Sequence, residues 1–223
     1  MLIRFLTLSM LVVLLLDTCN KCGPDVYLGV FPLADNSRQF IPYADDDVLV
    51  FVNQDGQTHT LKSSDGHEVT MGNILTVSTS CFDDDDDVAG QSEYYDTQRE
   101  RITFEDEDGE PAFTCTLIVD HIGSIAGSAT EIFDRLVVNP ELFNNTYGAV
   151  MVITEEREGE LPEDYLDYIR TRTTFVGDTL LYGRDFTEVY KSEHESGRAF
   201  YYNQYKGALA FTIDEDTFWV LDN

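Results

Sequence analysis

The stretch Val48-Leu49-Val50-Phe51-Val52, then Asn53-Gln54-Asp55-Gly56, then Gln57-Thr58-His59-Thr60-Leu61 reads as two strands closed by an Asp-Gly turn. β-branched and aromatic residues fill the flanks, and Gly56 supplies the positive φ that a tight turn needs. The device returns at Ile102-Thr103-Phe104, Glu105-Asp106-Glu107-Asp108-Gly109 and Ala112 to Val119. Both copies carry Phe, a polar run, and Asp-Gly followed by Gln or Glu. This is shared hairpin chemistry rather than a sequence repeat.

Working outward, alternation predicts further strands at Asn73 to Ser78, Ala149 to Thr154, Arg170 to Phe175, Thr179 to Tyr182 and Glu188 to Ser192. It predicts three more at Arg198 to Asn203, Ala208 to Ile213 and Thr217 to Leu221. Short strands spaced by polar turns point to a mainly β protein. The expected form is an antiparallel β-sandwich or open barrel of meandering hairpins, with at most one or two short helices. Ser128-Ala129-Thr130-Glu131 has capping-box spacing, with Ile132, Phe133 and Leu136 as an apolar face and Pro140 as the stop, so a helix is expected there. Leu161-Pro162-Glu163-Asp164 opens a single helical turn.

The first residues carry an address. Arg4 precedes an apolar run from Phe5 to Leu16, broken only by Thr7 and Ser9, and Leu16-Asp17-Thr18-Cys19 follows. A run of about 12 residues suits a secretory signal and falls short of the roughly 20 needed to span a bilayer. Leu16 and Thr18 fit a lipoprotein signal and Asp17 does not. The expected organisation is a signal peptide over 1–18, a lipidated Cys19 with its tether over 19–26, and one β-rich domain over 27–223. Acyl chains on Cys19 would hold the protein to a membrane of the cell envelope, with the outer membrane as the expected location.

Charge narrows the partners. The chain carries 42 Asp and Glu against 14 Lys and Arg, a net charge of −28, with only four lysines beside ten arginines. Such a field repels nucleic-acid phosphate and anionic lipid surfaces. An Asp-rich, Lys-poor exterior also suits a salt-loving organism. The expected partners are an envelope protein, a glycan or an apolar ligand.

The cysteines and acids offer candidate sites. Cys81 and Cys115 lie at the end of one predicted strand and inside another, so a disulfide between them is an expectation for an exported protein, leaving Cys22 odd. The run Asp83 to Asp87 sits in an expected acidic loop over 83–95. Asp83, Asp85 and Asp87 would offer oxygens to Ca²⁺, which takes about six to eight. The turn-forming Gly and closing Glu of a calcium loop are missing, so loose counterion binding is the expectation. His59, His67, His121 and His194 have no metal-type spacing. Neither a nucleophile elbow nor a phosphate loop is present.

Aromatics gather in the last third, including Tyr182, Phe186, Tyr190, Phe200, Tyr201, Tyr202, Tyr205, Phe211, Phe218 and Trp219. Their alternation suggests core and cross-strand pairs, with a carbohydrate or peptide platform as the minority reading.

Three stretches together resemble the exported lipoproteins of unknown function common in Bacteroidota: the leader ending at Cys19; Phe40-Ile41-Pro42-Tyr43 leading into Val48 to Asn53 and the Asp55-Gly56 turn; and the run from Tyr201-Tyr202-Asn203 through Tyr205 to Phe211 and Phe218 to Leu221. The resemblance implies an envelope location and a β-rich fold, and it brings no activity with it.

The leading expectation is a non-catalytic envelope lipoprotein acting as a binding or structural module. One alternative is a carrier holding a lipid or other apolar ligand in an open barrel. Another is a hydrolase using paired carboxylates, which would need one carboxyl desolvated in a cleft.

Overall fold

A computed structural model describes residues 24–64, 66–82, 88–123, 129–144, 147–214 and 216–222. Its strands are β1 (Val26–Phe31), β2 (Val48–Asn53), β3 (Thr58–Ser63), β4 (Glu68–Phe82), β5 (Val88–Glu105), β6 (Pro111–Gly123) and β7 (Ala129–Pro140). They continue as β8 (Val150–Glu158), β9 (Thr174–Leu181), β10 (Arg184–Glu193), β11 (Ala199–Asn203), β12 (Gly207–Thr212) and β13 (Phe218–Leu221). Helices are α1 (Asp35–Arg38) and α2 (Glu163–Arg172), with one 3₁₀ turn at Leu142–Asn144. Among the described residues no helix is long and apolar enough to cross a membrane.

Among the described residues 13 strands form one sheet in the order β8-β7-β6-β5-β3-β2-β13-β12-β11-β10-β9, with β1 and β4 attached to β5. Every ladder is antiparallel except that of β1 with β5. The sheet curls until β8 lies near β10 and β11, yet no ladder joins them. The protein is therefore an open half-barrel, and of the two expected architectures the open barrel is the one observed.

Both hairpins expected from the sequence form with the same turn. Asn53 N–H donates to Gln57 O at 3.0 Å and Gly56 N–H to Asn53 O at 3.1 Å, and Asp106 and Gly109 repeat this pair at 3.0 and 3.1 Å. Gly56 and Gly109 sit at φ 76° and 78°, where a side chain would be strained. The carboxylate of Asp106 accepts from Asp108 and Glu110 N–H, so it is committed to the turn.

Three expectations need correction. Residues 129–140 form β7 rather than a helix: Asp134, Leu136 and Val138 alternate inward, and this period of two outweighs a local capping pattern. Of the acidic loop expected over 83–95, residues 88–95 are strand, because Val88 to Tyr95 pair with β4 as the start of β5, and 83–87 lie outside the described residues. Arg170 to Arg172 close α2, so the strand expected from Arg170 begins at Thr174.

The interior is full. Phe51, Phe104, Phe113, Phe200, Phe211 and Tyr202 are almost wholly buried, with the rings of Phe104 and Phe113 stacked at 4.7 Å. A segment between β1 and β2 crosses the barrel and adds Leu33, Ile41 and Tyr43. The segment is pinned from inside: Tyr202 OH donates to Phe40 O at 2.6 Å, and Ala208 N–H donates to the Tyr43 side-chain OH at 2.6 Å. Gly207 leaves space for the Tyr43 ring, which a β-carbon there would strike. A satellite cluster of Leu181, Phe186, Val189, Leu209, Ala210 and Val220 is built chiefly from β9, β10, β12 and β13.

Candidate functional site

Cys19 and Cys22 lie outside the described residues, as do Asp83, Asp85 and Asp87 of the expected cation loop. Among the described residues no group of His, Cys, Asp and Glu could hold a metal ion. Cys115 is a free, buried thiol whose Sγ lies 3.9 Å from Tyr202 OH. Burial pushes it up to about 12. Cys81 stands opposite Ala89 and Cys115 opposite Ile102, both partners being on β5. At about 3.3 Å per residue the two cysteines are roughly 40 Å apart along the strand, whereas a disulfide needs Cα atoms within about 7 Å. The register does not bring this pair together.

The histidines serve separate local roles. His59 lies against Phe143 and Trp219 at 4.5 and 5.7 Å, and burial lowers its imidazole below the ordinary 6.5. His67 Nε2 lies 2.8 Å from Tyr43 O, and His194 Nδ1 accepts from Ser196 N–H at 3.2 Å in a turn.

Among the described residues Asp134 is the one fully buried carboxylate. It accepts from Ala34 N–H at 2.8 Å and pairs with Arg157 at 3.2 Å. Arg157 also donates to Pro32 O at 3.0 Å, so the pair braces the crossing segment against β7. It faces a cation rather than a second acid.

A cavity forms where the barrel fails to close. Its origin is α2, which the sequence betrays only as the turn at Leu161 to Asp164. Glu163 and Asp164 occupy the first turn and Arg170 and Arg172 the last, matching the helix dipole. Arg170 holds Glu163 at 2.5 Å and Asp167 at 3.1 Å. The apolar stripe is narrow, and the β-branched Thr171, Thr173 and Thr174 mimic a strand. Thr173 ends the helix, its N–H donating to Ile169 O at 2.9 Å. Its Oγ1 accepts Met151 N–H at 2.7 Å, which ties the helix to β8.

Leu166 and Ile169 of α2, with Thr173 at its C-cap, form one wall of a cleft of about 340 Å³. Met151, Val152 and Ile153 of β8 form its floor, and Phe175 of β9 with Tyr190 of β10 forms the far wall. The last two rings lie 5.1 Å apart. Burial raises the Tyr190 phenol, which stays neutral. Arg170 at the rim is occupied by its two carboxylates. Ligand clefts of about 300 to 1,000 Å³ are characteristically apolar with few polar groups, as here. Sequence reading missed this site because its walls come from three separated segments. Of the residues singled out beforehand, it uses only Tyr190.

Comparison with family models, with curated proteins and with solved structures finds no match for this chain.

Proposed function

We propose that this acidic half-barrel carries an apolar ligand in the cleft between β8, α2 and the β9–β10 hairpin. The observation that carries the reading is an apolar cleft at the unclosed seam, beside a core of buried aromatic rings. The barrel interior is filled by aromatic rings. The cleft walls instead leave Phe175 58 % exposed, together with the neighbouring Val176. Seating an apolar chain there would remove that surface from water, worth roughly 25 cal/mol per Å².

The address belongs to the same proposal. The leader and Cys19 support an exported lipoprotein that presents the cleft at the cell envelope.

Isothermal titration of the full chain with dodecanol tests the ligand reading. One saturable site is expected, lost in Phe175→Glu, which puts a charge in the cleft wall at an exposed position. Absence of saturable binding to the native chain would overturn it. Metabolic labelling with a fatty acid, native against Cys19→Ala, tests the anchor, and absence of label from both would remove it.

A further inference from the structure

The cleft under α2 shares a sheet face with a second cavity. Residues directly opposite in an antiparallel ladder lie on one face. Met151 of β8 faces Val137 of β7, Val137 faces Thr116 of β6, and Thr116 faces Arg101 of β5. The neighbouring row runs Ile153, Arg135, Ile118, Arg99. At the β5 end of these rows is a cavity of about 460 Å³ lined by Arg99, Arg101, Thr114, Thr116 and Asn139. Tyr147, whose buried hydroxyl has no hydrogen-bond partner, also borders it, as does the carboxylate residue Glu141.

The two arginines are anomalous. With 42 acids for 14 Lys and Arg, a cation on this surface should find a carboxylate. Arg38, Arg135, Arg157, Arg170 and Arg184 each do. Arg172 and Arg198 lie over the rings of Tyr168 and Tyr147. Among the described arginines only Arg99 and Arg101 have neither, although Glu68 stands directly across the ladder from Arg101. As i and i+2 on one strand they project on the same side about 7 Å apart. The hydroxyls of Thr114 and Thr116 and the amide of Asn139 stand beside them, so the wall offers cations and neutral donors together.

We infer that the ligand is an anionic amphiphile whose carboxylate head sits on Arg99 and Arg101 while its chain crosses Val137 into the cleft under α2. This rests on the apolar-carrier reading above and adds a head site to it. Arg101 and Met151 are three ladder steps apart, about 14 Å at roughly 4.8 Å per step, a span suited to a medium-length acyl chain. Two guanidinium groups bind a carboxylate through charge-assisted hydrogen bonds, and here they must also offset the repulsion of a strongly acidic molecule.

The test is isothermal titration of the full chain at fixed ionic strength with dodecanoate and, separately, dodecanol. The native chain is expected to bind dodecanoate about tenfold to a hundredfold tighter than dodecanol. The double variant Arg99→Gln, Arg101→Gln should lose that preference and keep its dodecanol affinity. Both positions are exposed, so its melting temperature should match the native value. Phe175→Glu should lose both ligands. Equal native affinities, or a dodecanoate preference that survives the double substitution, would overturn the head site and leave the apolar reading intact. Failure of both ligands to bind the native chain would overturn both. Dodecanoate binding that needs the arginines but survives Phe175→Glu would overturn the amphiphile in favour of a bare anion site.

Discussion

Along β6, Phe113, Cys115, Leu117 and Val119 point into the core, while Thr114, Thr116 and Ile118 between them point outward. The inward row meets Phe104, Ile102 and Val138 from the adjoining strands. The outward row lies on the face that carries both cavities. One strand thus separates a closed region that holds the fold together from an open one with room for a ligand. Barrels that hold small molecules often do so inside. Here the interior is spent on packing, and the unclosed seam supplies the space.

The sharpest way to break this contrast is to cut a residue from each side of β6. Phe113→Ala should destabilise by about 3 to 5 kcal/mol through the cavity it leaves, whereas Thr116→Ala should stay within about 0.5 kcal/mol. Urea unfolding of the two variants reads the difference. Comparable losses would mean that the outward face is packed as well.

The brace beneath the crossing segment comes next. Arg157→Ala would leave Asp134 buried with Ala34 N–H as its remaining described partner, at a cost of about 3 kcal/mol. Arg157→Lys should recover part of that loss in the same urea titration.

Alkali should act on the interior before the open face. Burial raises Cys115 from 9.0 to about 12 and holds Tyr43 and Tyr202 well above 10.0. The folded state therefore keeps protons that the unfolded chain releases, and stability present below about pH 9 should be lost progressively toward pH 12. Chemical denaturation at stepped pH checks the slope. Iodoacetamide at pH 8 should leave Cys115 unmodified until the protein unfolds.

The smallest effect per residue concerns the surface as a whole. At a net charge of −28 the folded state repels itself, and the Debye length shrinks from about 10 Å at 0.1 M salt to about 3 Å at 1 M. The melting temperature should rise with sodium chloride over that range. A flat response would mean that the acids are already locally compensated.

The closed region was legible in the sequence and the open one was not. Phe51, Phe104 and Phe211 sit in short alternating runs punctuated by Asp-Gly or Lys-Gly, and period two with a turn residue is a local signal. β7 is disguised because Ser128 and Glu131 imitate a capping box, although Leu136-Val137-Val138 is strand-like. α2 shows in the sequence only as a turn because its stripe is little more than Leu166 and Ile169. Arg99, Arg101, Thr114 and Thr116 read as ordinary solvent positions on their own strands. Only the register of β5, β6, β7 and β8 gathers them on one face, and registry between distant strands leaves no mark on any single segment.

The seam has one more consequence. β9 pairs with β10 alone, and its unpaired border presents Phe175, Val176 and Leu180 around a single acid, Asp178. A neighbour's strand would find a template in such a margin, and repulsion between molecules of charge −28 opposes that pairing. Screening that charge with salt is therefore expected to firm each copy and, at the same time, to weaken the barrier to edge-to-edge pairing at β9.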